Sequence, residues 1–381
     1  MGKSTLLLIS LLLSFSVFIT HTAAKHRHPL DSLTASEFRH VRRLVLKSEL
    51  GSHKNLSFQY VGLQAPHKEA VYKWKDGLAP LPSREAFVIA RIPGETHEVL
   101  VDLTAASVVY DKVYHGFGYP IFTLDEQVKA SELLLTYPPF IRSIKSRGLE
   151  IGPVVCSTYS VGWFGEKKQG ERVINILCYY TNGTVNIYAR PIEGITGVVD
   201  LDTMTVIGYR DDKKIPVPKA EGTDYRFSSH KPPYGPEINP ISIEQPEGPG
   251  FRVEGHMVEW ANWKFHIGFD LRAGPVISTA DVFDAEKGKF RSVMYRGFVS
   301  EMFVPYMDPT QDWYYKSYMD AGEFGVGLSA SSLEPLNDCP RNAYYMDAFY
   351  AGADGEPVNI SNAFCVFERY AVDVSWRHTW W

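Results

Sequence analysis

Val101-Asp102-Leu103 followed by Val108-Val109, and Val199-Asp200-Leu201 followed by Val206-Ile207, share one internal spacing and decide the fold. β-Branched residues on both sides of a short polar turn read as a β-hairpin. One hairpin written twice points to a duplicated unit. Upstream of the first copy, Thr34-Ala35-Ser36-Glu37 is a capping box, and Phe38, Val41, Leu44 and Val45 recur at helical spacing. Strand-like runs Leu56–Leu63, Ala86–Ile92 and Val99–Val113 follow. Upstream of the second copy, Thr123-Leu124-Asp125-Glu126 opens a helix carrying Leu133, Leu134 and Ile141, followed by strands over Val154–Phe164, Arg172–Thr181 and Val185–Pro191. Two small helix-plus-antiparallel-sheet domains are therefore expected, over 25–119 and 120–214, and the fold class is α+β.

Between residues 215 and 250 the composition changes, because eight of the chain's 24 prolines fall there. An extended linker is expected. Beyond it Trp263, Phe265, Ile267, Phe269 and Leu271 alternate with polar or small neighbours, and Val293–Val304 is a further strand-rich run. Residues 251–381 thus read as the first portion of a large β-sandwich, whose open edges would need covering.

The 381 residues are 45% hydrophobic, which excludes a disordered chain, and 39 basic against 44 acidic residues show no nucleic-acid footprint. Residues 1–24 carry Lys3, an apolar run from Leu6 to Ile19 and the small-residue end Thr22-Ala23-Ala24, the pattern of a cleaved signal peptide. The run is too short for a membrane anchor. Secretion to the extracellular space is expected, with no membrane attachment. In that compartment Cys156, Cys178, Cys339 and Cys365 would pair. Their spacing suggests Cys156–Cys178 and Cys339–Cys365, although four cysteines allow three connectivities. Asn55, Asn182 and Asn359 each open an acceptor sequon for N-glycosylation.

Nucleophilic hydrolysis has no support, since no GxSxG elbow is present. Gly325-Val326-Gly327-Leu328-Ser329-Ala330 imitates a dinucleotide fingerprint, but Pro335 follows too soon for the helix that motif needs. It reads as a glycine-rich connection. His26 and His28 form the one alternating histidine pair, in a stretch expected to be a solvated tail. His256 and His266, beside aromatic residues in β segments, read as hydrogen-bonded core or surface histidines. Tyr318-Met319-Asp320-Ala321-Gly322-Glu323-Phe324-Gly325 has the most chemical character: an acid between aromatic residues and glycines that permit close approach of another backbone.

That last stretch, together with Trp263-Lys-Phe-His-Ile-Gly-Phe-Asp270-Leu-Arg272-Ala-Gly274, Ser300-Glu-Met-Phe-Val-Pro-Tyr306-Met-Asp308-Pro309, Asp338-Cys339-Pro340, Cys365-Val-Phe-Glu368 and Trp376-Arg-His-Thr379, resembles the plant-type copper-containing primary-amine oxidases in order and spacing. The resemblance implies oxidative deamination of a primary amine or diamine to an aldehyde, releasing ammonia and hydrogen peroxide, with copper and topaquinone as cofactors and homodimers as the assembly. By it Asp320 corresponds to the general base that removes the substrate's α-proton, and Tyr306 and Tyr318 correspond to residues of the substrate channel. Cys339 and Cys365 correspond to the catalytic-domain disulfide, and Cys156 with Cys178 to an additional pair of plant members.

The departures are as informative. The family makes its quinone from a tyrosine in a T-x-x-N-Y-[DE] strand and binds copper through an H-x-H pair and a distant histidine. After Asp320 the tyrosines are Tyr344, Tyr345, Tyr350 and Tyr370, none in that context, and the one histidine is His378. No cofactor-binding or metal residues are thus expected in this sequence. It reads as a C-terminally truncated member, from a shortened gene model, a splice form or a frameshift, inactive as given. The alternative is a non-catalytic module that associates with full-length subunits.

Overall fold

The computed structural model describes residues 28–161, 171–236, 238–239, 242, 244–306 and 317–369. The proposed signal peptide, His26, Met307–Pro309 and the C-terminal residues from Tyr370 onward lie outside the described residues.

Helix α1 (Ala35–Lys47) starts where the capping box sets it: the Glu37 amide donates to Thr34 Oγ1, and the Thr34 amide donates to the Glu37 carboxylate. β1 (Ser57–Gln64), α2 (Lys68–Lys75), β2 (Glu85–Ile92), β3 (Glu95–Asp102) and β4 (Ser107–Val113) follow, with the strands in an antiparallel sheet of sequential order. The α1 stripe Phe38, Val41 and Val45 packs on Phe58, Val61, Val88 and Val99, burying the face that its periodicity marks out. α2 carries a single buried residue, Val71.

The second unit opens with α3 (Leu124–Thr136), again held by a capping box from Thr123 and Glu126. The single helix expected to carry Ile141 is two helices: Pro138 and Pro139 cannot continue the hydrogen-bond ladder, so α3 stops at Thr136 and α4 (Pro138–Ser146) starts with prolines in its first turn. β5 (Val154–Ser160), β6 (Val173–Tyr180), β7 (Ile195–Asp200) and β8 (Thr205–Asp211) form the second sequential sheet. The strand expected over Val185–Pro191 is instead a 3-10 turn at Ile187–Ala189, joined to the sheet by one bridge between Tyr179 and Pro191. Pro191 has no N–H with which to extend a ladder.

The duplicated hairpins have matching geometry. Asp102 Oδ1 accepts from the amides of Thr104 and Ala105 at 2.7 and 2.8 Å, and Asp200 Oδ1 accepts from those of Asp202 and Thr203 at 2.8 Å each. Each hairpin carries its register shift at the same place, Leu100/Val101 and Val198/Val199. The shared aspartate is thus a turn-forming residue: its side chain supplies the acceptor that the turn's backbone lacks.

Both expected disulfides are present. Cys156 and Cys178 face each other across β5 and β6, and Cys339 joins Cys365. Closing loops of 22 and 26 residues, each stabilises the fold by about 3 kcal/mol. Asn55, Asn182 and Asn359 are exposed.

Between β8 and Phe251 the described residues contain one 3-10 turn, Phe227–Ser229, and no strand. β9 (Phe251–Glu254), β10 (Met257–Trp260), β11 (Trp263–Asp270), β12 (Gly274–Asp284) and β13 (Lys289–Gly297) form a five-stranded antiparallel sheet. β14 (Phe303–Pro305) pairs with β15 (Ser317–Met319), and β16 (Tyr344–Ala351) pairs with β17 (Pro357–Val366). Phe290, Val293 and Met294 on edge strand β13, and Phe303 and Val304 on β14, are exposed. No helix among the described residues is long and apolar enough to cross a membrane.

The solvated-tail reading of His28 is overturned. His28 is only 7% exposed, stacks on His266 with ring centroids 4.2 Å apart, and meets Trp74 edge-on. Leu30 is buried, Leu33 joins the core of the first small unit, and Ser32 Oγ donates to the Phe269 carbonyl at 2.9 Å while accepting from the Phe269 amide at 2.8 Å. Two apolar anchors and a pair of backbone-satisfying bonds to β11 hold a segment that has no regular structure of its own.

Candidate active site

Asp320 opens a single π turn, Asp320–Phe324, directly after β15. Such turns are sparsely used and concentrate at functional positions. Glu301 holds this one: its two carboxylate oxygens accept from the Ala321 and Gly322 amides at 2.8 and 2.9 Å. The Asp320 amide donates to the Met302 carbonyl at 3.0 Å. None of these bonds uses the Asp320 carboxylate, which stays available for chemistry while its backbone is fixed on both sides.

The glycines after the turn explain how it is seated. A Cβ on Gly327 would lie 2.2 Å from the Asp270 carbonyl oxygen, and one on Gly325, at φ +82°, 2.9 Å from that of Leu271. Only glycine permits so close a backbone approach. Val326 and Leu328 then donate to the carbonyls of Arg272 and Leu271 at 2.9 Å each. Asp270 is fixed in turn: Oδ1 accepts from the Arg272 and Ala273 amides, and Oδ2 accepts from the Tyr60 hydroxyl at 2.6 Å. The first small unit therefore supports the segment that carries Asp320.

An aromatic wall stands beside the turn. The Tyr318 ring lies 5.6 Å from Tyr306, 5.7 Å from Tyr159 and 5.5 Å from Phe324. Tyr306 follows β14 and Tyr318 lies on β15, so the pairing of Pro305 with Ser317 brings the two expected channel residues together. Tyr159 on β5 and Tyr179 on β6, joined by a hydroxyl-to-hydroxyl hydrogen bond, come from the second small unit. Burial pushes Tyr318, Tyr159 and Tyr179 above the ordinary phenol value, so they are neutral donors. Burial likewise raises Glu323, and the charges of Glu301 and Asp320 add to the shift. Tyr159, Tyr179, Glu301 and Glu323 were not identified as site residues from the sequence. Glu301 and Glu323 lie inside the quoted motifs; the two tyrosines arrive from more than a hundred residues away and leave no local signal.

Among the described residues, one group of three side chains is spaced to hold a metal ion: Asp31, His256 and His266. It does not fit the copper and quinone of the resemblance. One donor is a carboxylate, the histidines are not an H-x-H pair, and the rings packed against His266 and His28 are histidine and Trp74, with no tyrosine among them. It also shares no residue with the Asp320 turn.

Comparison with known proteins accounts for the architecture. Residues 28–114 match the copper amine oxidase N2 domain, 125–228 the N3 domain, and 252–381 the copper amine oxidase enzyme domain. The chain is 46% identical to a primary amine oxidase of Lens culinaris over 379 residues, covering 99% of this chain and 56% of that protein. It is 48% identical to a primary amine oxidase of Pisum sativum, covering 97% and 54%, and 46% identical to "Amine oxidase [copper-containing] alpha 3, peroxisomal" of Arabidopsis thaliana, covering 97% and 55%. The chain thus spans about half the length of the curated relatives it matches. In structure it is similar to a copper-containing benzylamine oxidase from Hansenula polymorpha, with a TM-score of 0.76 at 24% identity over 89% of this chain and 55% of that one. Two consecutive small α+β units, the first part of an enzyme domain, and relatives at this identity along nearly the whole chain establish that it belongs to the copper amine oxidase family.

Proposed function

We propose that this chain carries the substrate-side half of a primary-amine oxidase active site: Asp320 as the general base and Tyr306 and Tyr318 as channel residues. The observation that supports this best is the mounting of Asp320. Its backbone is clamped by Glu301 and Met302, its carboxylate takes no part in the clamp, and a neutral aromatic wall lies alongside. A base must be held in place while its oxygens stay free to take a proton, and a low-dielectric wall strengthens its interaction with a cationic amine.

The quinone, when present, supplies the electron sink that makes the amine's α-proton acidic; after Asp320 this sequence carries neither the tyrosine motif that generates it nor an H-x-H pair for copper. The 381 residues alone are accordingly proposed to be inactive. Asp320 then holds position without a proton to take. The substrate class is a primary amine or diamine, the assembly a homodimer, and the destination extracellular, with the leader over residues 1–24 removed and the three exposed sequons available for glycosylation.

A chimera in which the remaining enzyme-domain sequence of the Lens culinaris relative follows Thr379 tests the reading. Loaded with copper, it is expected to release hydrogen peroxide from a diamine. A folded, copper-loaded chimera that releases none contradicts it.

A further inference from the structure

We infer that Asp31, His256 and His266 form a binding site for a divalent transition-metal ion of the zinc type, which staples the N-terminal segment to the β9–β12 sheet. Asp31 Oδ1 lies 3.0 Å from His256 Nδ1 and 2.9 Å from His266 Nε2, and all three ligand atoms lie within 4.8 Å of one another. Two imidazoles and one carboxylate with an open position are a zinc-type donor set. A tetrahedral ion with bonds of about 2.1 Å holds its ligand atoms roughly 3.4 Å apart, so the cluster need open by only about half an ångström. On the His256 side the turn between β9 and β10, where the side chain is 36% exposed, can supply that movement, and Asp31 and His266 must part by the same amount.

The other ligands are fixed in advance. The His28 amide donates to Asp31 Oδ2 at 2.9 Å and the Asp31 amide donates to the His28 carbonyl at 3.0 Å, which aims Oδ1 at the histidines. The His266 side chain is fully buried, and its ring is oriented by stacking on His28, since its Nδ1 has no hydrogen-bond partner. The charge balance points the same way. Lys75 is already engaged by both oxygens of Asp281, at 2.6 and 2.5 Å, so the side chains facing the Asp31 carboxylate are the two imidazoles, beside the His28 backbone amide on Oδ2.

The test is calorimetric titration of the full chain, stripped with a chelator, with Zn²⁺ alone, followed by thermal unfolding with and without the ion. One Zn²⁺ per chain and a raised unfolding midpoint are expected. His256→Ala, at a partly exposed turn that leaves the core intact, and Asp31→Asn, which keeps the side-chain shape, should each abolish both the stoichiometric binding and the Zn²⁺-dependent rise. Absence of binding by the unaltered chain overturns the inference. So does retention of one tightly bound Zn²⁺ in folded His256→Ala, which would place the ion on other residues such as His26.

Discussion

In the amine-oxidising chimera, Asp320→Asn should lower turnover by about a hundredfold to ten-thousandfold, the range for removing a positioned general base. The amide keeps the size and the hydrogen-bonding shape of the carboxylate but cannot accept the proton. Because the clamp on the turn runs through the backbone amides of Asp320, Ala321 and Gly322, the substitution leaves the π turn in place. Thermal stability and copper content should therefore match the parent while peroxide release falls. Glu301→Gln provides the contrast: it weakens the clamp without touching the base. If Asp320→Asn retains parental turnover, the base lies elsewhere, and the half-buried Glu323 becomes the residue to test.

Arg172→Ala should destabilise the chain by about 3–5 kcal/mol, the cost of stripping a buried charge of its partner. The Arg172 guanidinium is 1% exposed and pairs with both oxygens of Glu126, which is 15% exposed. It also donates to Gln59 Oε1 at 3.0 Å and lies over the Phe122 ring. Gln59 belongs to β1 of the first unit and Glu126 to the α3 capping box of the second, so one side chain ties the two units together. Glu126 has two opposing influences: burial raises its pKa, while Arg172 and the Thr123 amide outweigh this and leave it below the ordinary value. A carboxylate depressed in the folded state contributes stability above its unfolded pKa and loses it as pH falls through the folded value. The stability gap between parent and variant should thus be full near neutrality and shrink below the ordinary glutamate pKa of about 4.3. Chemical denaturation at a series of pH values measures it; a gap independent of pH would show that the ion pair is not its source.

Where structure is local, the sequence was legible. Thr34-x-x-Glu37 and Thr123-x-x-Glu126 start the helices they announce, and the Val-Asp-Leu hairpins share their Asx turns and register shifts. Pro138-Pro139 was a readable stop that the periodicity of Leu133, Leu134 and Ile141 obscured, because α3 and α4 both contribute to one core. The strand expected at Val185–Pro191 is absent although the β6 amide of Tyr180 donates to the Arg190 carbonyl: Pro191 has no N–H to return a bond, and the apolar β-branched pattern does not register that.

The site divides along the same line. Asp320, Tyr306 and Tyr318 sit in contiguous motifs, and the β14–β15 pairing joins the tyrosines. Tyr159, Tyr179 and the Asp31 cluster depend on contacts across long stretches of chain: His266 meets Asp31 over 235 residues. His28 looked like part of a tail because its burial comes from Trp74 and His266, which no local pattern links to it. The expected open edge is β13, the last strand of the five-stranded sheet, and the exposed apolar side chains of β13 and β14 mark uncovered sheet faces beside it.

The most direct measurement is peroxide release from a diamine by the purified 381-residue chain incubated aerobically with copper, alongside quinone redox staining of the same protein. Neither signal is expected, since after Asp320 the sequence has no tyrosine in an Asn-Tyr-acid context and His378 as its one histidine. Catalytic peroxide release with a positive quinone stain would contradict the division of the active site proposed here.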